Sequence, residues 1–369
     1  GAAQAQSSVT VYGIMDAGAL SINNTVGSSA SNNNRTTGIQ SGGLASPRLG
    51  FKGVEDLGGG MSAKFVLEAE ILTATGQTNG VNGVGGAASS TSGQFFNRAS
   101  YVALGDKKMG EVMLGLFNTS NYTNIVKFDA IGGTNLGGLV NFSNAGATTA
   151  SSGNQGITNT ARVNNAIGYI SPKFAGLNAT FASGNKAVTV QPTGTNAANQ
   201  RTTDFGLNYG YKKLALAASY TTVAGSVGNM DTVGTTAGYR LLGAYGSYDF
   251  GIVKAFGSYV AVTGAGTNGS TNSVYAGGVS APITPKIAVA ASYSSFNAGS
   301  AYTNTNSSMV ALKATYGLSK RTTLYALSAF SNNQANAAGQ ISSTSKFSGT
   351  GATTGLNQTG YMLGMNHTF

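Results

Sequence analysis

Apolar and polar residues alternate in many segments of the chain, and stretches rich in Gly, Asn, Ser and Thr separate these segments. In residues 308–318 one row holds Val310, Leu312, Ala314, Tyr316 and Leu318, and the other holds Met309, Ala311, Lys313 and Thr315. A period of two residues places the two rows on opposite faces of a β-strand. Residues 61–71 repeat the pattern. Both segments have the ~9–11 residues that a tilted strand needs to cross a bilayer, so the pattern predicts membrane-spanning strands.

The connections between these segments alternate between short and long. Tight turns, rich in residues that favour turns, are predicted at 56–60, 105–110, 171–176, 211–213, 249–251, 282–285 and 317–321. Longer polar loops are predicted at 18–45, 72–94, 118–161, 185–201, 224–237, 263–271, 297–307 and 332–356. Seven turns and eight loops join sixteen strands, and such a pattern is typical of bacterial outer-membrane barrels. We therefore predict an all-β fold: a 16-stranded antiparallel transmembrane β-barrel with short periplasmic turns and long extracellular loops.

The last ten residues, GYMLGMNHTF, alternate in the same way. One face carries Tyr361, Leu363, Met365, His367 and Phe369. An open sheet edge in lipid would leave backbone groups without hydrogen-bond partners, so a sheet in a membrane must close. We therefore expect this segment to pair with the first predicted strand, SSVTVYGIMDAG, and Phe369 to end the closing strand.

Composition supports a barrel with one face in lipid and one in water. Charged residues make up 9% of the chain, against about 25% in ordinary soluble domains. Hydrophobic residues make up 41%, yet no run of ~18 apolar residues occurs, which excludes membrane-spanning helices. Disorder is excluded by the 16 Phe and 17 Tyr set into alternating segments.

The N-terminal residues indicate export. Ala3, Gln4 and Ala5 fit the A-x-A pattern of a signal-peptide cleavage site. We interpret residues 1–5 as a signal-peptide remnant and residues 6–369 as a single barrel domain.

The chain offers little for catalysis, metal binding or nucleic-acid binding. It has no Cys, and its one histidine, His367, falls on the predicted lipid face. Catalysis of hydrolysis needs a base beside a nucleophile or a water, and the only paired carboxylates, Glu68 and Glu70, point the same way along one strand as charges of the lumen. The net charge of +10 comes from scattered basic residues without the patch typical of nucleic-acid binding. We expect no enzymatic activity, cofactor, metal or nucleic acid.

Three arginines are expected to face the lumen. A charge facing lipid at mid-depth costs ~2–4 kcal/mol, so the row that carries Arg48 must face inward, with Leu49 and Phe51 outward. The same argument sends Arg98 inward, opposite Ala99 and Tyr101, and Arg162 inward, opposite Val163, Ile167 and Tyr169. By alternation, the lumen also receives Lys52, Lys64, Glu68 and Glu70. Guanidinium groups offer planar donor pairs to anions, and basic side chains at a constriction favour anions.

The third predicted loop, 118–161, is the longest connection and is more apolar than the others. Its segment FDAIGGTNLGGLVNF has Asp129 as its only charge, with Lys127 directly before it. Loops of this length are usually functional. We expect it to fold against the lumen wall, with Asp129 near the arginines.

Several segments resemble the general porins of Gram-negative bacteria, in the beta-proteobacterial branch. They are SSVTVYGIMDAG, SPRLGFKGVEDLGGGMSAKFVLEAE, FNRASYVAL, NNAIGYISPKFAGL and YGLSKRTTLYA, together with a terminal Phe preceded by His two residues earlier. The resemblance implies a homotrimer, a third loop that narrows the pore, and Arg48, Arg98 and Arg162 as a ladder facing that loop. It also implies that Phe369 is the signal for the barrel assembly machinery. After GEVMLG these porins commonly carry an arginine, where this chain has Leu116 and Phe117, which weakens the expected anion preference.

The expected function is that of a water-filled outer-membrane porin of a Gram-negative bacterium. It would pass small hydrophilic solutes and ions by passive diffusion and prefer anions, as a homotrimer in contact with membrane lipid and lipopolysaccharide. Two alternatives stay open: a substrate-specific channel for organic acids, and a structural or adhesive barrel with a plugged lumen.

Overall fold

A computed structural model describes residues 8–25, 34–78, 95–144, 161–186, 200–224, 239–264, 271–300, 303–342 and 351–369. These residues form one antiparallel sheet that closes on itself. The proposed signal remnant, 1–5, lies outside the described residues.

Sixteen long strands make the barrel wall, and two short strands, β2 and β5, lie in loops. The strands are β1 (Ser8–Ile22), β2 (Thr36–Ser41), β3 (Arg48–Gly58), β4 (Met61–Leu72), β5 (Gln77–Thr78), β6 (Ala99–Asp106), β7 (Gly110–Asn118), β8 (Arg162–Ile170), β9 (Leu177–Lys186), β10 (Gln200–Tyr211), β11 (Leu214–Ala224), β12 (Tyr239–Asp249), β13 (Lys254–Gly264), β14 (Thr271–Pro282), β15 (Ile287–Asn297), β16 (Ser307–Gly317), β17 (Thr322–Asn333) and β18 (Thr359–Thr368). The predicted sixteen-stranded barrel and all seven predicted tight turns are confirmed.

The barrel closes between its first and last strands, as expected. β1 pairs with β18 from Ile14 opposite Thr368 to Ile22 opposite Gly360. Two backbone hydrogen bonds of 3.1 Å between Gly13 and Phe369 extend this pairing by one step. Phe369 therefore ends the closing strand, and its ring lies outward over Gly13.

The alternation predicted for residues 308–318 is confirmed by side-chain exposure. In β16 the row of Val310, Leu312 and Tyr316 is exposed, and the row of Met309 and Ala311 is buried. Since apolar side chains cover the outside, this face suits contact with lipid. Within the described ranges, no helix has the length and apolarity needed to cross a bilayer.

The first loop is shorter than predicted. β1 continues to Ile22, and the chain then returns as β2, which pairs with the upper part of β1. Below β2, residues 42–47 form a turn on the inside of the wall, and β3 then pairs with the lower part of β1. The predicted loop 18–45 began inside a strand because small residues such as Gly18 and Ala19 resemble loop composition.

The third loop folds into the barrel, as expected, and contains two helices, α1 (Ser120–Lys127) and α2 (Leu139–Asn144). Thr119 caps α1 by accepting a hydrogen bond from the backbone N–H of Tyr122 at 3.2 Å. The loop buries an apolar side against the inner wall: Ile125, Phe128, Ile131, Leu136, Leu139 and Phe142 pack with side chains of β1 and of β11 to β18. The burial of these side chains holds the loop inside the barrel.

Candidate pore constriction

Glu68 lies at the centre of a group of charges on the inner wall. Its carboxylate is 2.6 Å from Nε of Arg98 and 3.7 Å from Nη1 of Arg48. The hydroxyl of Tyr12, on β1, donates to the same carboxylate at 3.0 Å. One acid therefore compensates part of the charge of two arginines and ties β1 to β4.

Arg162 completes the group from β8. Its Nε donates to the backbone carbonyl of Arg98 at 2.9 Å, and its guanidinium lies 5.8 Å from the ring centre of Tyr122 on α1. Within the described part of the chain, no carboxylate lies within ion-pair distance of Arg162. Arg162 is thus the arginine of the group without a direct counter-ion there, and it lies where the wall meets the third loop.

The arginines lie together, as expected, but the faces predicted by alternation are wrong for one residue in each of two strands. Tyr101 was expected to face outward, yet it packs against Phe117 on the inner side, while Val102 points outward. Arg98 reaches the lumen because it precedes β6, where a bend interrupts the alternation.

Val163 is the second residue that lies on the opposite face from the one predicted. It was expected to face lipid opposite Arg162, but it is 2% exposed and packs with Phe117 inside the barrel. A register shift between Gly115 and Phe117 disturbs the alternation where β7 meets β8. Ile167 and Tyr169 point outward, as expected.

Asp129 does not face the arginines, so that expectation was wrong. Its carboxylate accepts backbone N–H groups of Ile131, Gly133 and Leu139 at 3.0, 3.2 and 2.8 Å, all within the loop. Burial raises the pKa of Asp129, and these hydrogen bonds act in the opposite direction. The nearby cation is Lys313 of β16, whose ammonium donates to the Ile131 carbonyl. A lone lysine in the inward row of β16 was the available signal for this contact.

The remaining candidates lie on the same side of the barrel as the arginines. Lys64 forms an ion pair with Glu111 of β7, an acid that the sequence reasoning missed. The ammonium of Lys52 lies 5.2 Å from the ring centre of Tyr12. Glu70, next along the inward row from Glu68, is buried, and its field acts on all three arginines.

Helix α1 is fixed opposite the arginines by polar contacts that the sequence reasoning also missed. Asp204 of β10 accepts from the backbone N–H and the hydroxyl of Ser120, at 2.8 and 2.6 Å. Asn121 accepts from the hydroxyls of Tyr245 and Ser219, at 2.7 and 3.1 Å. The start of the loop is therefore held by hydrogen bonds to the wall as well as by the apolar packing of the loop.

Two unlike regions of the inner wall result. The charged wall is the region from β3 to β8 that carries Arg48, Glu68, Arg98 and Arg162. The packed wall is the region from β11 to β18 against which the third loop packs. The guanidinium group of Arg162 lies where the charged wall meets the start of the third loop. Guanidinium hydrogen-bonds well to carboxylate, sulfate and phosphate.

Comparison with known proteins gives consistent results. The model of the Gram-negative porin family matches residues 1–336. The chain is similar to outer membrane porin protein 32 of Delftia acidovorans, at 31% identity over 100% of this chain and 96% of the relative. The solved anion-selective porin of Comamonas acidovorans matches with a TM-score of 0.79 at 27% identity, covering 99% of this chain and 100% of that one. A trimer form of OmpT of Vibrio cholerae shares the fold, with a TM-score of 0.66 at 15% identity over 98% and 99% of the two chains. The chain therefore belongs to the family of Gram-negative porins of the outer membrane, in agreement with the resemblance found in its sequence.

Proposed function

We propose that this porin prefers anions and passes small hydrophilic anionic solutes by passive diffusion. One observation carries the proposal: Arg48, Arg98 and Arg162 converge on the charged wall where the third loop approaches it. The similar Comamonas acidovorans porin is described as anion-selective, which supports the same preference here.

The balance of charge in this group favours anions moderately. Three guanidinium groups are opposed by the carboxylates of Glu68 and Glu70, so one positive charge is in excess. Arg98 and Arg48 share Glu68, and this sharing reduces their attraction for a passing anion. Arg162 has no such partner among the described residues, so we assign it the largest share of the anion contact.

The packing of Phe117 is relevant to the strength of this preference. Leu116 and Phe117 stand where the porins that this chain resembles commonly carry an arginine, and Phe117 fills an apolar part of the inner wall with Tyr101 and Val163. We therefore expect a weaker preference than an additional cation at that position would give.

Single-channel recording with ion substitution tests this function. In a gradient of KCl, the reversal potential should have the sign of an anion-preferring pore, and replacing chloride by a large anion should lower conductance more than replacing potassium by a large cation. Conductance should rise with salt without saturating. Saturation with an organic acid would favour a substrate-specific channel, and no conductance at all would favour a plugged barrel.

We propose a homotrimer as the assembly. The trimer form of OmpT, with the same fold, supports it. Extracts in mild detergent should run as a trimer on unheated gels and as a monomer after boiling. A monomeric mass in native mass spectrometry would contradict the proposal.

We also propose lipopolysaccharide as a lipid partner at the outer rim. Arg201 on β10 and Arg240 on β12 are exposed in outward-facing rows, and the ion pairs among the described residues involve neither. Arg201 is ten residues from the periplasmic end of its strand at Tyr211, roughly 23 Å along the membrane normal for a tilt of ~45°. The apolar band of such barrels is ~25 Å tall, so Arg201 lies close to its outer edge, and its long side chain extends to the level of the headgroup phosphates.

A double variant tests this partner. Arg201→Ala with Arg240→Ala should reduce the lipopolysaccharide that copurifies with the folded protein, because two cations at the phosphate level are lost. Lys212→Ala with Lys213→Ala, at a periplasmic turn, is the matched control and should leave it unchanged. Equal amounts of lipopolysaccharide in both variants would contradict the site.

The barrel assembly machinery is proposed as a further partner, with Phe369 as the recognised residue.

A further inference from the structure

Asp16 is a buried carboxylate on the inward face of β1, and the pore contacts described above do not include it. It is 1% exposed, and no basic side chain of the described residues forms an ion pair with it. Burying an unpaired carboxylate is costly unless hydrogen bonds satisfy it. The buried carboxylate of Asp16 is therefore energetically unfavourable unless its hydrogen bonds compensate it, and these hydrogen bonds indicate the role of Asp16.

Five donors from three parts of the chain converge on Asp16. Its Oδ1 accepts from the Gly43 N–H at 2.9 Å and the Tyr325 hydroxyl at 2.7 Å. Its Oδ2 accepts from the N–H groups of Leu44 and Ala45 at 3.1 and 2.9 Å. The same oxygen accepts from the Asn366 amide at 2.9 Å. Asp16 thus joins the inner turn of the first loop to β1, β17 and β18.

The inner turn of the first loop is also hydrogen-bonded to Asn135 of the third loop. The backbone N–H of Asn135 donates to the carbonyl of Gly43 at 3.0 Å, and its side-chain amide donates to the carbonyl of Gly42. The last loop holds the same part of the third loop from its other side, because the N–H of Gly137 donates to the carbonyl of Ile341 at 2.7 Å. The position of residues 135–137 therefore depends on the turn that Asp16 fixes.

The same row of β1 also supports the charged wall. Tyr12 lies four residues before Asp16 on the inward face, about 13 Å away at the rise of a strand. Its hydroxyl donates to Glu68, the acid shared by Arg98 and Arg48. One strand thus supports both boundaries of the pore: Tyr12 contacts the arginine group, and Asp16 holds the first-loop turn to which the third loop is hydrogen-bonded.

We propose that Asp16 is a positioning residue of the pore, which sets the aperture by fixing the first-loop turn that seats the third loop. It acts on the width of the passage and not on its charge selectivity, because its charge is enclosed by its own donors. The proposal is independent of the anion preference, so a channel without anion preference would leave it standing.

Substitution of Asp16 by Asn tests the proposal. Asn has nearly the same shape, but one of its two terminal groups cannot accept hydrogen bonds, so some of the five donors lose their acceptor. The folded Asp16→Asn channel should show a changed mean conductance and more frequent transitions between substates, with an unchanged reversal potential in a salt gradient. Asp106→Asn is the matched control, because Asp106 accepts two backbone N–H groups at a periplasmic turn. Its conductance, substates and reversal potential should equal those of the wild type.

A second variant keeps the proposal testable if Asp16→Asn does not fold. Asn135→Ala leaves Asp16 and all of its donors intact but removes the amide contact between the third loop and the first-loop turn. It should reproduce the substates, and the double variant should add little, since both changes act on one connection. A role in stability alone predicts a lower unfolding temperature with wild-type recordings for the folded channels. That result in either folded variant would overturn the proposal.

Discussion

The charged wall and the packed wall belong to one sheet with one hydrogen-bonding pattern, yet their inward residues differ in kind. The charged wall presents arginines and acids that contact each other and Tyr122 of the third loop. The packed wall presents Leu, Val, Met and Phe side chains, which the loop covers. The lumen is therefore not uniformly polar, because one region of its wall packs against the third loop and another carries the charged side chains. Selectivity should follow the charged wall, and pore shape should follow the packed wall.

The largest expected effect comes from removing the charged wall's cations. In the triple variant Arg48→Ala, Arg98→Ala and Arg162→Ala, the anion-to-cation permeability ratio should fall at least about fivefold, since one guanidinium ~4 Å from an anion is worth ~1 kcal/mol even in bulk water. The reversal potential in a KCl gradient measures this, and the conductance to large ions should rise because the passage widens. The wild-type reversal potential in this variant would assign selectivity to the diffuse field of the +10 chain.

The single arginine variants test which arginine of the charged wall contributes most to selectivity. Arg162→Ala should shift the reversal potential more than Arg48→Ala, because Arg48 lies within ion-pair distance of Glu68 and Arg162 does not. Equal shifts of the reversal potential would mean that the ion pair with Glu68 does not reduce the contribution of Arg48 below that of Arg162. Both variants should fold, since each side chain is only partly buried.

An effect of opposite sign and smaller size is expected for Glu68→Gln. The change removes a negative charge between Arg98 and Arg48, so the permeability ratio should rise in favour of anions. Folded yield should fall, because Arg98 is 7% exposed and loses its ion-pair partner. Asp249→Asn at a periplasmic turn is the control for the change in total charge. A ratio that stayed at the wild-type value would show that Glu68 does not reduce the field in the passage.

The packed wall should respond differently. Phe128 is 2% exposed and stacks 5.8 Å from the ring of Tyr245, so Phe128→Ala should cost ~3–5 kcal/mol of packing between the loop and the wall. We expect noisier recordings and a lower unfolding temperature, with a reversal potential close to wild type. A large change in selectivity would contradict the separation of the two walls.

Much of this architecture could be predicted from the sequence because lipid imposes a strict alternation on the spanning part of each strand. The rows of β16 and β18 and all seven tight turns follow from that rule. Alternation failed for Tyr101 and Val163, since both lie near the outer ends of strands, where a bend before β6 and a register shift in β7 reverse the faces. Asp129 was misplaced for another reason: its donors are backbone N–H groups of its own loop, and no side-chain pattern encodes them.

The smallest expected effect on permeation comes from Phe369, which touches neither wall from the inside. Its backbone continues the pairing with Gly13, and its ring faces outward, 44% exposed, at the end where aromatic girdles meet the membrane interface. Deletion of Phe369 should lower the amount of folded protein in the outer membrane, because two backbone hydrogen bonds and the terminal aromatic ring of the closing strand are lost. The channels that do assemble should keep the wild-type conductance and reversal potential, and Phe369→Tyr, which keeps the ring and the backbone, should restore the amount. If surviving deletion channels recorded differently, the closing strand would have to influence the lumen. The division of the pore into a charged and a packed wall would then omit a third determinant, at the seam between β1 and β18.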